Sequence, residues 1–204
     1  MGVPIVYRKG QDTTSILYNY QDVISGTGYI DLYAGLTTGP NLLSNNSFYS
    51  NSIYTKSANT SSSGYAKMID LDFDVVVNKP ITIYGKALVN LSYGCDGGPA
   101  VNLGTYPISD LKYVRGGVET SIKSMSGATI TGSDDKTEAI ILDITSKTKL
   151  IKGDILRLTI EGYVKSDGAN PSSMYLGHDP KGRAGWDASY YTYLILKLPT
   201  EVIE

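Results

Sequence analysis

The sequence predicts an all-β chain folded as an antiparallel two-sheet, jelly-roll-like β-sandwich. Three observations carry that prediction. Residues 152–164 open on the polar turn Lys152-Gly153-Asp154, where Gly153 can take a positive φ and Asp154 can bond the local backbone. The stretch then alternates, with Leu156, Leu158, Ile160 and Val164 on one side and Arg157, Thr159, Glu161 and Tyr163 on the other, the period of a strand with one face in a core. Residues 65–77 and 81–93 are long runs of the same kind, suited to two sheets that shield each other's inner faces. No amphipathic helix of useful length and no internal repeat competes with this reading.

In chain order, strands are expected at 3–8, 15–23 and 29–35, the last alternating Ile30, Leu32 and Ala34 against Tyr29, Asp31 and Tyr33. Residues 41–55 suggest one or two bulged strands, and 57–64 a loop. In 65–77, Leu71, Phe73, Val75 and Val77 point inward and Asp70, Asp72 and Asp74 outward. In 81–93, Ile81, Ile83, Ala87, Val89 and Leu91 oppose Thr82, Tyr84, Lys86, Asn90 and Ser92. Residues 94–107 read as a loop-rich crossing. Residues 111–125 read as a hairpin around Arg115-Gly116-Gly117, since Gly-Gly fits a tight turn. A polar loop at 126–137, a short strand at 139–144 and a helical turn at 145–151 lead to the 152–164 strand. A long loop follows, with a short strand at 174–176, and a closing strand at 190–198 is ended by Pro199.

A chain of 204 residues is expected to be a single domain, 1–204, with 1–11 as an N-terminal arm for contact with a neighbour. Tyr is used 17 times against 2 Phe and 1 Trp, a bias that suits half-buried pleated surfaces and binding faces. The net charge of −2 comes without a basic stripe, which disfavours nucleic acid. One cysteine, Cys95, excludes an internal disulfide and a cysteine-built metal site, and it reads as a small buried or half-buried thiol. The start Met1-Gly2-Val3-Pro4 has no charged segment followed by an apolar one, so no signal peptide is expected, and no apolar run has membrane-spanning length.

The chemistry searched for in the residues is sparse. Asp70, Asp72 and Asp74 share a strand face, but same-face neighbours sit about 7 Å apart, too far for one cation to collect all three. A solvated face is the stronger reading. His178 with Asp179 would need a distant serine to make a hydrolase, and no Gly-x-Ser-x-Gly elbow accompanies them. The favoured reading of 175–183 is a structural loop in which Asp179-Pro180 turns the chain and Asp179 or Arg183 bonds nearby backbone. An interaction role for His178, Arg183, Trp186, Tyr190 and Tyr191 comes second, because Arg, Trp and Tyr are enriched at contact hot spots. A catalytic pair drawn from Asp96, Glu119, Glu138 and Glu161 stays open. No cofactor or metal is expected, and the chain is read as not an enzyme.

Several segments resemble the jelly-roll decoration or auxiliary capsid proteins of tailed phages and related viruses. They are Tyr18-Asn19-Tyr20, the run from Gly26-Thr27-Gly28 to Tyr33-Ala34-Gly35, Lys152 to Leu158, Gly177-His178-Asp179-Pro180-Lys181-Gly182-Arg183, and the final strand into Leu198-Pro199. The resemblance implies a virion structural protein, assembled in the host cytoplasm. Such a protein forms a homo-oligomer, with a trimer favoured, and binds the major capsid protein or another virion protein. It implies no catalytic residue. The alternative is a carbohydrate-binding module or the receptor-binding tip of a viral fibre, with Trp186 and Tyr190 or Tyr191 as its aromatic platform.

Overall fold

The computed structural model describes residues 27–97, 101–179, 183 and 194–202. The strands expected at 3–8 and 15–23, the N-terminal arm, Trp186, Tyr190 and Tyr191 lie outside them. The described residues form eleven strands and no helix: β1 (Thr27–Gly35), β2 (Leu42–Ser44), β3 (Tyr54–Lys56), β4 (Ala66–Val76), β5 (Ile81–Asp96), β6 (Asn102–Arg115), β7 (Val118–Ser126), β8 (Asp135–Leu150), β9 (Ile155–Ser166), β10 (Ser173–Gly177) and β11 (Leu194–Val202).

One hydrogen-bonded path runs β3-β10-β5-β11-β1-β2-β4-β9-β6-β7, and β8 lies on the other edge of β5. Every pairing is antiparallel except the single Leu42↔Asp74 pair that joins β2 to β4. About this seam the path folds over, giving the predicted sandwich. Ala87, Val89, Leu91 and Tyr93 of β5, Leu142 of β8 and Leu194 and Leu196 of β11 meet Phe73 of β4, Leu111 of β6 and Leu156, Leu158 and Ile160 of β9 in one buried core. Burying side chains of this size stabilises by about 1.5–3 kcal/mol each relative to exposure. Gly162 of β9 packs closely under β10: a Cβ there would stand 2.5 Å from Met174 Sδ and 3.0 Å from Cβ of its cross-strand neighbour Ile69.

Four expectations are corrected. The crossing at 94–107 is mostly strand, because β5 continues to Asp96 and β6 begins at Asn102. Pro107 fits inside β6 because its carbonyl, and so its missing N–H, faces the end of β7, where only Gly127 N–H needs an acceptor, at 2.8 Å. The polar loop at 126–137 ends early, since β8 starts at Asp135. The helical turn at 145–151 is instead the second half of β8: Gly85 pairs with Ile144 and Ile83 with Thr148, so 145–147 form a bulge opposite Tyr84. Pro199 does not end β11. It pairs with Tyr29 of β1 where the β5 ladder is already interrupted between Lys197 and Thr200, and Gly85, at φ 106°, leaves room beside its ring.

The hairpin turns at Gly116 and Gly117, with φ of 57° and 82°, as Gly-Gly predicted. Its β7 is an edge strand among the described residues and is protected as one. A bulge interrupts its pairing between Leu111 and Lys112, and Lys123, opposite buried Leu111, is turned toward the inner side. A bulge and an inward lysine both discourage a further strand from adding to that edge.

Candidate interaction site

The outer face of β4-β9-β6-β7 carries the three aspartates. Cross-strand register sets Asp74 opposite Arg157, Asp72 opposite Thr159 and Asp70 opposite Glu161. Arg157 Nε and Nη2 donate to Asp74 at 2.8 and 2.7 Å, and Nη1 reaches Asp72 at 2.8 Å and Glu119 of β7. Thr159 donates to Asp72 at 2.6 Å, and Lys67 spans Asp70 at 2.7 Å and Glu161 at 3.1 Å. The solvated-face reading gave no role to Arg157, which supplies the cation the carboxylates share. The signal was in the sequence, as alternating outward positions on two strands that pair.

The four carboxylates left open as a catalytic pair are not brought together. Glu119 binds Arg157, and Glu161 accepts from Lys67 and from the Tyr163 hydroxyl. Asp96 pairs with Lys56 at 3.1 Å, and Glu138 accepts from the Tyr93 hydroxyl and the Ala128 N–H, each at 2.9 Å. The outward tyrosines of this sheet lean on one another: Tyr106 stacks on Tyr163 at 5.2 Å, and Tyr65 meets Tyr106 edge-on at 5.0 Å. Their faces are partly taken up by neighbouring rings, which is poor geometry for a sugar platform.

The node at the end of β10 holds the two predicted contact residues that the structure describes. His178 is fully buried, so it stands beneath the surface and not on it. Its N–H donates to Ile53 carbonyl at 3.1 Å, Nε2 lies 2.9 Å from Thr55 Oγ1, Nδ1 lies 3.5 Å from Ser50 Oγ, and the ring faces Phe73 across the core. Burial holds the imidazole neutral and pushes its pKa down from 6.5 to about 4, against an opposing pull from Asp179. Asp179, also fully buried, accepts from Arg183 Nε at 2.6 Å and from Arg183 N–H at 3.1 Å. Arg183 Nη2 donates to Ser50 carbonyl at 2.9 Å, and the guanidinium lies over the exposed Tyr49 ring, 5.4 Å from its centre. Asp179 and Arg183 thus bond backbone as the structural-loop reading expects, and the turn expected at Asp179-Pro180 lies outside the described residues.

This node is not a hydrolytic triad. Both His178 nitrogens face hydroxyls, the Asp179 carboxylate is committed to Arg183, and Ser50 is buried. A general base works best with a pKa near working pH, and burial holds that of His178 well below it. What the node can do is hold an exposed arginine and tyrosine in fixed positions. A separate apolar groove of about 320 Å³ opens at the β2–β4 seam, lined by Pro40, Leu42, Leu43, Val75, Val76 and Ile155 with Asp74. Cys95 is buried as expected, with its Sγ 3.1 Å from Gly132 carbonyl, and burial raises its pKa to about 12.

No protein-family model and no curated protein matches the chain. Solved structures do. A CocE/NonD family hydrolase from Staphylococcus aureus is similar over 87% of this chain and 37% of its own, at TM-score 0.55 and 11% identity. An α-amino acid ester hydrolase is similar over 65% of this chain and 25% of its own, at TM-score 0.47 and 13% identity. The VP2 subviral particle of infectious bursal disease virus follows, at TM-score 0.31, 8% identity, and 87% and 38% coverage. Identities this low speak to fold alone, and the chain spans little more than a third of the first hydrolase's length. One expectation is overturned: the fold of this chain occurs in a hydrolase, so the reading of the chain as not an enzyme does not stand.

Proposed function

We propose that the chain is a jelly-roll assembly module of a virion, which self-associates and seats on the major capsid protein or another virion protein. The observation that carries this is the Tyr49–Arg183 corner. Arg183 is held by a fully buried carboxylate and a backbone carbonyl beside a tyrosine that is 71% exposed. An arginine and an aromatic fixed before contact lose little side-chain entropy on binding, the property of a hot spot. The resemblance to decoration proteins and the jelly-roll-like fold support the virion setting. The protected β7 edge favours docking through faces and loops over strand addition. Light scattering tests self-association, with a trimer expected, and Tyr49→Ala and Arg183→Ala should weaken oligomer or capsid binding by tenfold or more with far-ultraviolet circular dichroism unchanged. Full binding by both variants would reject the corner as the contact.

A second reading is favoured by the likeness at TM-score 0.55: the chain is the β-sandwich part of a hydrolase whose catalytic groups lie outside the described sandwich. Turnover of a chromogenic ester by the purified chain, or by a longer protein containing it, would favour this reading over the first.

A further inference from the structure

We propose that His178 is a proton-operated latch on the 45–53 loop, releasing that loop and its Tyr49–Arg183 corner in acid while the sandwich stays folded. This goes beyond the assembly reading and stands whether or not the corner binds a partner.

The bonds that hold the loop converge on Ser50. Ser50 Oγ accepts the Leu36 N–H at 2.9 Å, and Asn51 N–H donates to the Leu36 carbonyl at 2.9 Å. Three further bonds tie it to His178 and Arg183. Ile53 carbonyl takes the His178 N–H, Ser50 Oγ sits against His178 Nδ1, and Ser50 carbonyl takes Arg183 Nη2. Ser50 therefore faces both anchors at once. Around it, Asn45, Asn46, Tyr49 and Asn51 are exposed, while Phe48 and Ile53 are half-buried.

The groups facing His178 decide what a proton would do there. From β4 it meets Phe73, and from β3 it meets Thr55 and the Tyr54 backbone, which with the backbone of His178 itself favours the charged ring. From the loop it meets Ser50, and Tyr49 lies further out under Arg183. On its own segment the one carboxylate is Asp179, whose oxygen Oδ2 takes both the Arg183 backbone N–H and Nε. An imidazolium here would sit in the core beside a phenyl ring and two hydroxyls, with its nearest anion already shared with a guanidinium. The backbone bonds at Tyr54 and His178 do not offset its loss of water. Burying such a charge is costly, and water reaches it if the 45–53 loop, whose bonds meet at Ser50 beside the ring, lifts away. The buried faces of β4, β5 and β9 are not part of that opening.

The test is amide hydrogen exchange of the full chain across pH 7 to 4, corrected for the intrinsic pH dependence of exchange, with His178→Gln as the non-titrating control. Gln can still bond both hydroxyls. In the unmodified protein, protection at 46–53 should fall at least tenfold between pH 6.5 and 4 while β4, β5 and β9 keep theirs. In His178→Gln the loop should show no such step. Protease cleavage after Phe48 or Tyr49 gives a second readout if the variant is only marginally folded, and should accelerate over the same range in the unmodified protein alone. An equal step in both proteins, loss of protection everywhere at once, or a loop indifferent to pH would each overturn the latch.

Discussion

Arg157 of β9 lies directly across the sheet from Asp74 of β4 and closes on both of its carboxylate oxygens, at 2.8 and 2.7 Å. The same guanidinium reaches Asp72 on β4 and Glu119 on β7, so one side chain ties strands from the seam side of the sheet to its edge. At 19% exposure its pairs are shielded from water more than ordinary surface ion pairs are. Arg157→Met would leave three carboxylates facing one another without their cation. The expected loss is about 2–3 kcal/mol, below the full figure for a buried network because the carboxylates keep some contact with water. Arg157→Lys should recover only part of it, since an ammonium cannot reproduce the two-armed grip on Asp74. Urea midpoints at low and high salt measure this, and midpoints equal to the parent's would show that the network contributes nothing.

Gly162 is placed by packing and not by backbone conformation. A methyl group there would press on Met174 Sδ, which can swing aside, and on Ile69 Cβ, which cannot. Gly162→Ala should therefore cost about 1–3 kcal/mol, the usual range for overfilling a packed core. Adding Met174→Ala should return part of that loss by opening the space the methyl needs. If the single variant is as stable as the parent, the two layers are looser at this point than the distances imply.

The alternation in 65–77, 81–93 and 152–164 specified both sheets and their inner faces, because burial on one side writes a period of two directly into the residues. What stayed hidden depended on partners far along the chain. Pro107 and Gly104 read as loop because a strand tolerates them only if β7 ends beside Pro107 and a side chain from elsewhere needs the space over Gly104. The hydroxyl of Tyr65 is what fills that space, where a Cβ would overlap it. Polar Thr145-Ser146-Lys147 imitates a helical turn because a bulge has no inward side to mark with apolar residues. At the candidate site, the bonds of Asp179 and Arg183 to backbone were legible as turn chemistry, while Tyr175 to Gly177 belong to β10. The burial of His178 was not, because Ser50 and Thr55, which satisfy it, lie more than a hundred residues earlier.

Cys95 should be chemically silent in the folded protein. Burial lifts its thiol to about 12, so almost no thiolate, the reactive form, exists at neutral pH. A thiol reagent added to the native protein at pH 8 should label it at the rate of global unfolding, and adding denaturant should give one thiol per chain at once. The linkage has a definite sign: the folded pKa lies above the ordinary value of 9.0, so this contribution to stability is complete below pH 9 and is lost as pH rises toward 12. Rapid labelling of the native protein would mean that the space around Cys95 opens without unfolding.

Stability on the acid side should carry the mark of His178. Its folded pKa of about 4 lies below the ordinary 6.5, so between those values the unfolded chain binds a proton that the closed form refuses. Stability from this group is therefore fully present above pH 6.5 and is lost as pH falls toward 4. A difference of about 2.5 pKa units sets a ceiling of about 3 kcal/mol on that loss. Local opening of the 45–53 loop would lower the ceiling, because an imidazole that gains water while the sandwich stays folded no longer opposes the proton. Urea unfolding at half-unit steps from pH 7 to 4 should show a steeper decline in the parent than in His178→Gln, with the two curves diverging from about pH 6.5 downward. Parallel curves would mean that His178 takes its proton in the folded state at an ordinary pH, and that the fold does not close it off from water.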